Sequence, residues 1–189
     1  MRILLLLLPV IVHAHNLVDI QEVDPRIKVE LKYATEDNAI KQIVYNFTRC
    51  LLQQDVAYAL SAVQNELEPL GLGLKVWDGY RPMAAQWKVW DLLPDMSDPL
   101  KGGRNTRGTS VDLTLITLNG AELEMPTGYD DITAKAHLNC QDLPQTAINN
   151  RDILQKAMKK YGFSPLLTEW WHFDYMGWED YPPLDVNVE

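Results

Sequence analysis

The chain has 189 residues, 47% of them hydrophobic, enough for one domain with a real core. Its 17 basic and 26 acidic residues leave a net charge of −9. Phosphate backbones are held by Lys and Arg, and neither a basic run nor basic-aromatic interleaving occurs, so nucleic acid is excluded as a partner.

Met1-Arg2 followed by the apolar run from Ile3 to Val12, with Val12-His13-Ala14 as a small-residue cleavage site, predicts a secretory signal peptide over residues 1–14. The run is too short for a bilayer span, which takes about 20 apolar residues. The expectation is one domain over residues 15–189, secreted or periplasmic, with no stable membrane anchor after cleavage. Without the leader, 16 basic residues face 26 acidic ones, a net charge of −10. Cys50 and Cys140 are the only cysteines. An oxidising exterior would let them pair, and two free buried thiols are the other reading.

Val29-Glu30-Leu31-Lys32-Tyr33 alternates apolar and polar residues, which predicts a half-buried strand. Val56, Leu60, Val63 and Leu67 recur at helical spacing, and Pro69 with Gly71 ends that helix. Lys75-Val76-Trp77 reads as a strand entering a turn at Asp78-Gly79. Pro82 suits the first turn of a second helix carrying Ala85, Val89 and Leu92 inward.

From Val111 to Leu115 the apolar residues Val111, Leu113 and Leu115 face one way, while Ser110, Asp112 and Thr114 face the other. Asp112 is thus placed on the polar side of a core-forming strand. Asn119-Gly120 gives a type I′ hairpin signal, with residues 121–125 as the return strand. A last helix is predicted from about Arg151 to Tyr161, with Asn149 or Asn150 as N-cap and Gly162 as its stop. A strand from Trp170 to Tyr175 follows. This order implies an α+β fold with a mainly antiparallel sheet and flanking helices.

Three segments suggest chemistry. They are Asp78-Gly79-Tyr80-Arg81-Pro82, the stretch Arg107-Gly108-Thr109-Ser110-Val111-Asp112-Leu113-Thr114, and Glu169-Trp170-Trp171-His172. The last puts a carboxylate three residues before an imidazole among aromatics that exclude water. Metal-assisted hydrolysis of a peptide bond needs three protein ligands, a water position, a base and a cation for the developing oxyanion. In order and separation the three segments resemble the VanX-type D-alanyl-D-alanine dipeptidases, zinc enzymes related to the bacterial D,D-carboxypeptidases. Glu22-Val23-Asp24-Pro25-Arg26 and Leu31-Lys32-Tyr33-Ala34-Thr35 resemble that family's start, so the likeness spans nearly the whole mature chain.

The resemblance implies a D,D-peptidase/hedgehog-like fold, one zinc ion and a small D-amino-acid dipeptide as substrate. It also implies Asp112 and His172 as metal ligands, Glu169 as catalytic acid/base, and Arg81 as the group that stabilises the transition state. Asp130, in Met125-Pro126-Thr127-Gly128-Tyr129-Asp130, is implied as a substrate residue holding the free amine, and Tyr80 as a second substrate-binding residue. Residues three apart on a regular strand face opposite sides, so Glu169 and His172 share one cleft only if Glu169 precedes the strand or sits at a bulge.

One position departs from the family pattern: Asn105 stands where the first zinc-binding His belongs. An amide oxygen is a weak neutral donor, whereas zinc favours imidazole, thiolate or carboxylate. Substitutes are scarce among the four histidines: His13 leaves with the signal peptide, His137 reads as a structural or surface residue, and His15 would become the N-terminal residue, where amine plus imidazole can chelate a metal. Two function classes follow. One is an exported metallodipeptidase cutting D-alanyl-D-alanine, with Asn105 tolerated or replaced by another ligand. The other is a catalytically impaired or inactive homologue that binds cell-wall peptide fragments without metal.

Overall fold

A computed structural model describes residues 16–93 and 103–188; the expected signal peptide lies outside them. The chain runs β1 (Leu17–Asp19), α1 (Ile20–Val23), β2 (Lys28–Val29), β3 (Leu51–Gln53), α2 (Gln54–Leu67), β4 (Leu72–Asp78), α3 (Met83–Leu92), β5 (Ser110–Thr117), α4 (Gln145–Lys160), β6 (Phe163–Leu166) and β7 (Glu169–Tyr175). Strands β2-β4-β5-β7-β6 form one sheet in that order, and β1 and β3 form a separate two-stranded ribbon. Only the short β2–β4 pair is parallel; β4–β5, β5–β7 and β6–β7 are antiparallel. This is the expected α+β architecture. No helix among the described residues is long and apolar enough to cross a membrane.

Period-two alternation decides which side of the sheet is core. Leu113 and Leu115 of β5 pair with Val76 and Leu74 of β4, Val111 pairs with Phe173 of β7, and all six are fully buried. Val56, Leu60, Val63 and Leu67 of α2, also fully buried, contribute at roughly 1.5–3 kcal/mol for each large side chain removed from water. Helices α2 and α4 pack on each other, with α4 against β6 and α2 against β4. The opposite side of β5 carries Ser110, Asp112 and Thr114, and these too are buried.

Two register breaks shape that polar side. Val76 pairs with Leu113 and Asp78 with Asp112, so Trp77 is an extra residue in β4. Regular alternation would put Asp78 beside Val76 on the core side; the bulge turns it to the side of Asp112. In β7 the pairing with β6 jumps from Pro165–Phe173 to Leu166–Glu169, which frees Glu169 from strict alternation with His172.

Several local expectations are corrected. The strand expected over residues 29–33 is confined to Lys28–Val29, and Lys32–Ala34 is a 3-10 turn. Lys32 and Tyr33 are both buried, which consecutive residues of a one-sided strand cannot be, and Lys32 Nζ is tied to Glu30 and Asp37 at 2.7 Å each. Pro82 is the N-cap of α3 rather than part of its first turn, and Leu92 is 45% exposed.

The loop after β5 has three residues, closed by Thr117 N–H on Ala121 O and Gly120 N–H on Thr117 O. Gly120 has φ 92° and Asn119 does not have positive φ, so the turn is not type I′, which needs both. The return strand is reduced to a single bridge between Ile116 and Glu122. Helix α4 begins at Gln145 with Pro144 as N-cap, because Ala147 and Ile148 extend its buried face; Asn149 and Asn150 lie inside it. Both cysteines are free thiols, Cys50 buried and Cys140 half-buried.

Candidate active site

Three strands bring three site-side residues into line. Asp78 of β4 pairs with Asp112 of β5, and Asp112 pairs with His172 of β7. His172 Nδ1 lies 2.7 Å from Asp112 Oδ1, and Nε2 lies 3.0 Å from Asp174 Oδ1. Asp174 is itself held by Ser110 Oγ at 2.9 Å and Arg104 Nη1 at 2.7 Å. The second oxygen of Asp112 accepts the Tyr129 hydroxyl at 2.9 Å. Burial disfavours a charged His172, but Asp112 and Asp174 outweigh it and hold its pKa well above the ordinary value.

The Arg81 turn is built around Asp78. Asp78 Oδ2 accepts from Arg81 Nη2 at 2.6 Å and Nε at 3.2 Å, and Oδ1 accepts the Tyr45 hydroxyl at 2.8 Å and Gly79 N–H at 2.9 Å. Gln86 Oε1 accepts from Arg81 Nη1 at 3.2 Å, and the Tyr33 ring lies 4.7 Å from the guanidinium carbon. Arg81 is 5% exposed, a fixed cation pre-organised by its neighbours. Gly79 has no alternative: a Cβ there would stand 2.6 Å from Cys50 Sγ and 3.1 Å from Leu51 O.

Asn105 lies beside this turn. Its backbone oxygen accepts Arg81 N–H at 3.1 Å, and its Nδ2 donates to Gly79 O at 3.3 Å, which leaves Oδ1 as the side chain's acceptor. Glu169 opens β7 half-buried. Burial raises its pKa and Asp112 adds to that, while His172 and Arg81 offset part of it. Glu169 therefore shares the electrostatic field of all three. Asp130 has φ 57° and accepts Ala39 N–H at 3.0 Å. Burial pushes its pKa up to about 7 against the Ala39 hydrogen bond, with Asp112 raising it further.

Trp77, Tyr129, Trp170 and Trp171 form a chain of ring contacts at centroid distances of 5.4–5.8 Å. Trp77, Trp170 and Trp171 are buried, so these three rings present an apolar wall beside the polar residues.

Asp112, His172, Arg81, Asn105 and Glu169 are thus neighbours in space or in electrostatic field. Tyr80 is not with them. Its hydroxyl accepts Val186 N–H at 2.8 Å and lies 3.2 Å from the carbonyl oxygens of Leu184 and Val186, so the expected substrate contact gives way to a bond with the C-terminal segment. Among the described residues no three His, Cys, Asp or Glu side chains converge as a metal cage, and the imidazole of His172 lies between Asp112 and Asp174. Asp174 was missed from the sequence although its signal was present: two residues beyond His172 it must share that residue's side of the strand. The bond from Tyr129 to Asp112 had no local signal.

A strand aspartate bonded to a histidine, with a half-buried glutamate and a fixed arginine in the same electrostatic field, is a set of groups of the kind that hydrolases use. The family model described as D-ala-D-ala dipeptidase matches residues 13–184. The chain belongs to that family, peptidase M15. Similar proteins include the D-alanyl-D-alanine dipeptidases of Escherichia coli (strain K12), 36% identical over 89% of each chain, and of Enterococcus faecalis (strain ATCC 700802 / V583), 31% identical over 85% of this chain and 91% of that one. Among solved structures, the vancomycin resistance D,D-dipeptidase VanXYg in complex with a D-Ala-D-Ala phosphinate analogue is 22% identical with a TM-score of 0.40, covering 69% of this chain and 53% of that chain.

Proposed function

We propose that this protein is an exported, zinc-dependent dipeptidase that hydrolyses D-alanyl-D-alanine. Export rests on the basic start and short apolar run of residues 1–14. The observation that carries the catalytic reading is the Asp112–His172 pair with its orienting partner. Asp174 occupies His172 Nε2, which directs Nδ1 toward Asp112, and a carboxylate behind an imidazole is the usual support of a metal-binding His.

Asp112 and His172 would be the two firm zinc ligands, with the Asn105 amide oxygen as a weak third. When bound, zinc would supply Lewis-acid polarisation of the scissile carbonyl and lower the pKa of water. Glu169, its pKa raised by burial, accepts the proton from the attacking water and returns it to the leaving amine. Arg81, fixed by Asp78 and Gln86, faces the negative charge that develops on the carbonyl oxygen. Asp130, when ionised, holds the substrate's free amine. The aromatic wall keeps bulk water away and strengthens these charge interactions.

Release of D-alanine from D-alanyl-D-alanine, measured with and without added zinc and after chelation, tests the reading. Zinc-dependent release that L-alanyl-L-alanine does not give supports it. Asn105 is the one observation favouring the second reading, an inactive wall-fragment binder; binding of D-alanyl-D-alanine without hydrolysis at any zinc concentration would establish that instead.

A further inference from the structure

The last described residues are stitched to the site from behind. Leu184 N–H donates to Thr106 O at 2.8 Å, and Val186 N–H donates to the Tyr80 hydroxyl at 2.8 Å. That hydroxyl faces Leu184 O and Val186 O at 3.2 Å each. The Arg107 guanidinium donates to Tyr181 O, and Tyr181 donates its hydroxyl to Asp55. Leu184 and Val188 reach the core with 6% and 3% exposure. Pro182 and Pro183 pre-set an extended backbone here, so less chain entropy is lost in laying the segment down.

The two turns this segment grips are the two that carry site residues. Tyr80 immediately precedes Arg81, and Thr106 immediately follows Asn105. The turns are also bonded to each other, Arg81 N–H to Asn105 O at 3.1 Å and Asn105 Nδ2 to Gly79 O at 3.3 Å. Tyr80 is 2% exposed, its hydroxyl proton shared between two C-terminal carbonyls and its oxygen accepting Val186 N–H. Its polar end serves the C-terminal segment alone.

We infer that residues 181–188 form a clasp that sets the positions of Arg81 and Asn105, with Tyr80 as the positioning residue through which it acts. The inference deepens the dipeptidase reading and rests on it for its kinetic consequence. Misplacing a catalytic group by about 1 Å can cost on the order of 100-fold in rate. A released clasp therefore lowers kcat while leaving KM nearly unchanged.

Three full-length variants separate the clasp from mere support. Val186→Pro removes the N–H donor, Tyr80→Phe removes the hydroxyl, and Val186→Ala keeps the backbone bond as control. Hydrolysis of D-alanyl-D-alanine by the zinc-loaded protein should show kcat reduced roughly tenfold or more in the first two, KM within about twofold, and the control unchanged. Amide hydrogen exchange, read by mass spectrometry, should quicken over residues 79–82 and 104–108 in the same two variants while α2 and α4 keep their protection. Quickened exchange throughout the domain, or local quickening with kcat unchanged, overturns the clasp as a positioning device, and so does unchanged exchange. If the wild-type protein hydrolyses nothing, the dipeptidase reading fails, and the exchange pattern alone decides whether the clasp holds the two turns.

Discussion

His172 Nε2 lies 3.0 Å from Asp174 Oδ1, two residues along the same strand, while its other nitrogen faces Asp112. The sheet therefore supplies the imidazole with a fixed orientation before any ligand arrives. Replacing Asp174 by Asn keeps the size but removes the charge behind the ring. D174N should weaken zinc binding and hydrolysis by about 10–100-fold, measured by zinc titration calorimetry and by D-alanine release. Ser110→Ala, which removes only one bond to Asp174, should have a smaller effect in the same direction.

Glu169→Gln removes the proton acceptor while keeping shape. Hydrolysis should fall by about 10²–10⁴-fold. Binding of D-alanyl-D-alanine, followed by calorimetry, should stay within a few-fold of the wild-type value.

Gly79→Ala forces a Cβ to within 2.6 Å of Cys50 Sγ and 3.1 Å of Leu51 O. Urea unfolding should show a loss of about 1–3 kcal/mol from overpacking, with activity reduced as well because Arg81 sits two residues away. Adding Cys50→Ala should restore part of that stability, since the backbone contact with Leu51 remains.

Asp130 carries a pKa of about 7, raised mainly by burial, against 3.8 for the ordinary group. A carboxyl so raised stabilises the fold fully below about pH 4, and that advantage is lost progressively as pH climbs from about 4 to about 7. Asp130→Asn should therefore match the wild-type melting temperature near pH 4 and exceed it by a few degrees at pH 8. Activity moves oppositely, because only the ionised carboxylate attracts the substrate amine. The KM of the wild-type enzyme should fall as pH rises from 6 to 8, and in Asp130→Asn that slope should disappear.

Much of the site was legible because β5 is a regular strand with one apolar side. Its alternation placed Asp112 opposite Val111 and Leu113, and the pairing with His172 followed once β7 lay alongside. The geometric conflict between Glu169 and His172 was also readable, and the register jump between β6 and β7 resolves it. What escaped depends on contacts that the apolar-polar pattern does not encode. The bulge at Trp77 exists only relative to β5, and it alone turns Asp78 toward the site. The turn at Lys32–Ala34 is held by the ion pairs of Lys32 with Glu30 and Asp37, which an alternating pattern hides. Tyr80 was assigned with its motif, while its partners lie more than 100 residues away in the C-terminal segment.

Asp112, His172 and Asn105 are proposed as a weakened zinc centre served by Glu169 and Arg81. Zinc affinity and D-alanyl-D-alanine hydrolysis, measured side by side in the wild-type chain and in Asn105→His, decide whether they form one. The wild-type chain should show zinc-dependent hydrolysis, and Asn105→His a zinc affinity higher by about 10–100-fold or more with faster turnover at limiting zinc. A folded Asn105→His variant that gains neither zinc affinity nor hydrolysis would rule the zinc centre out.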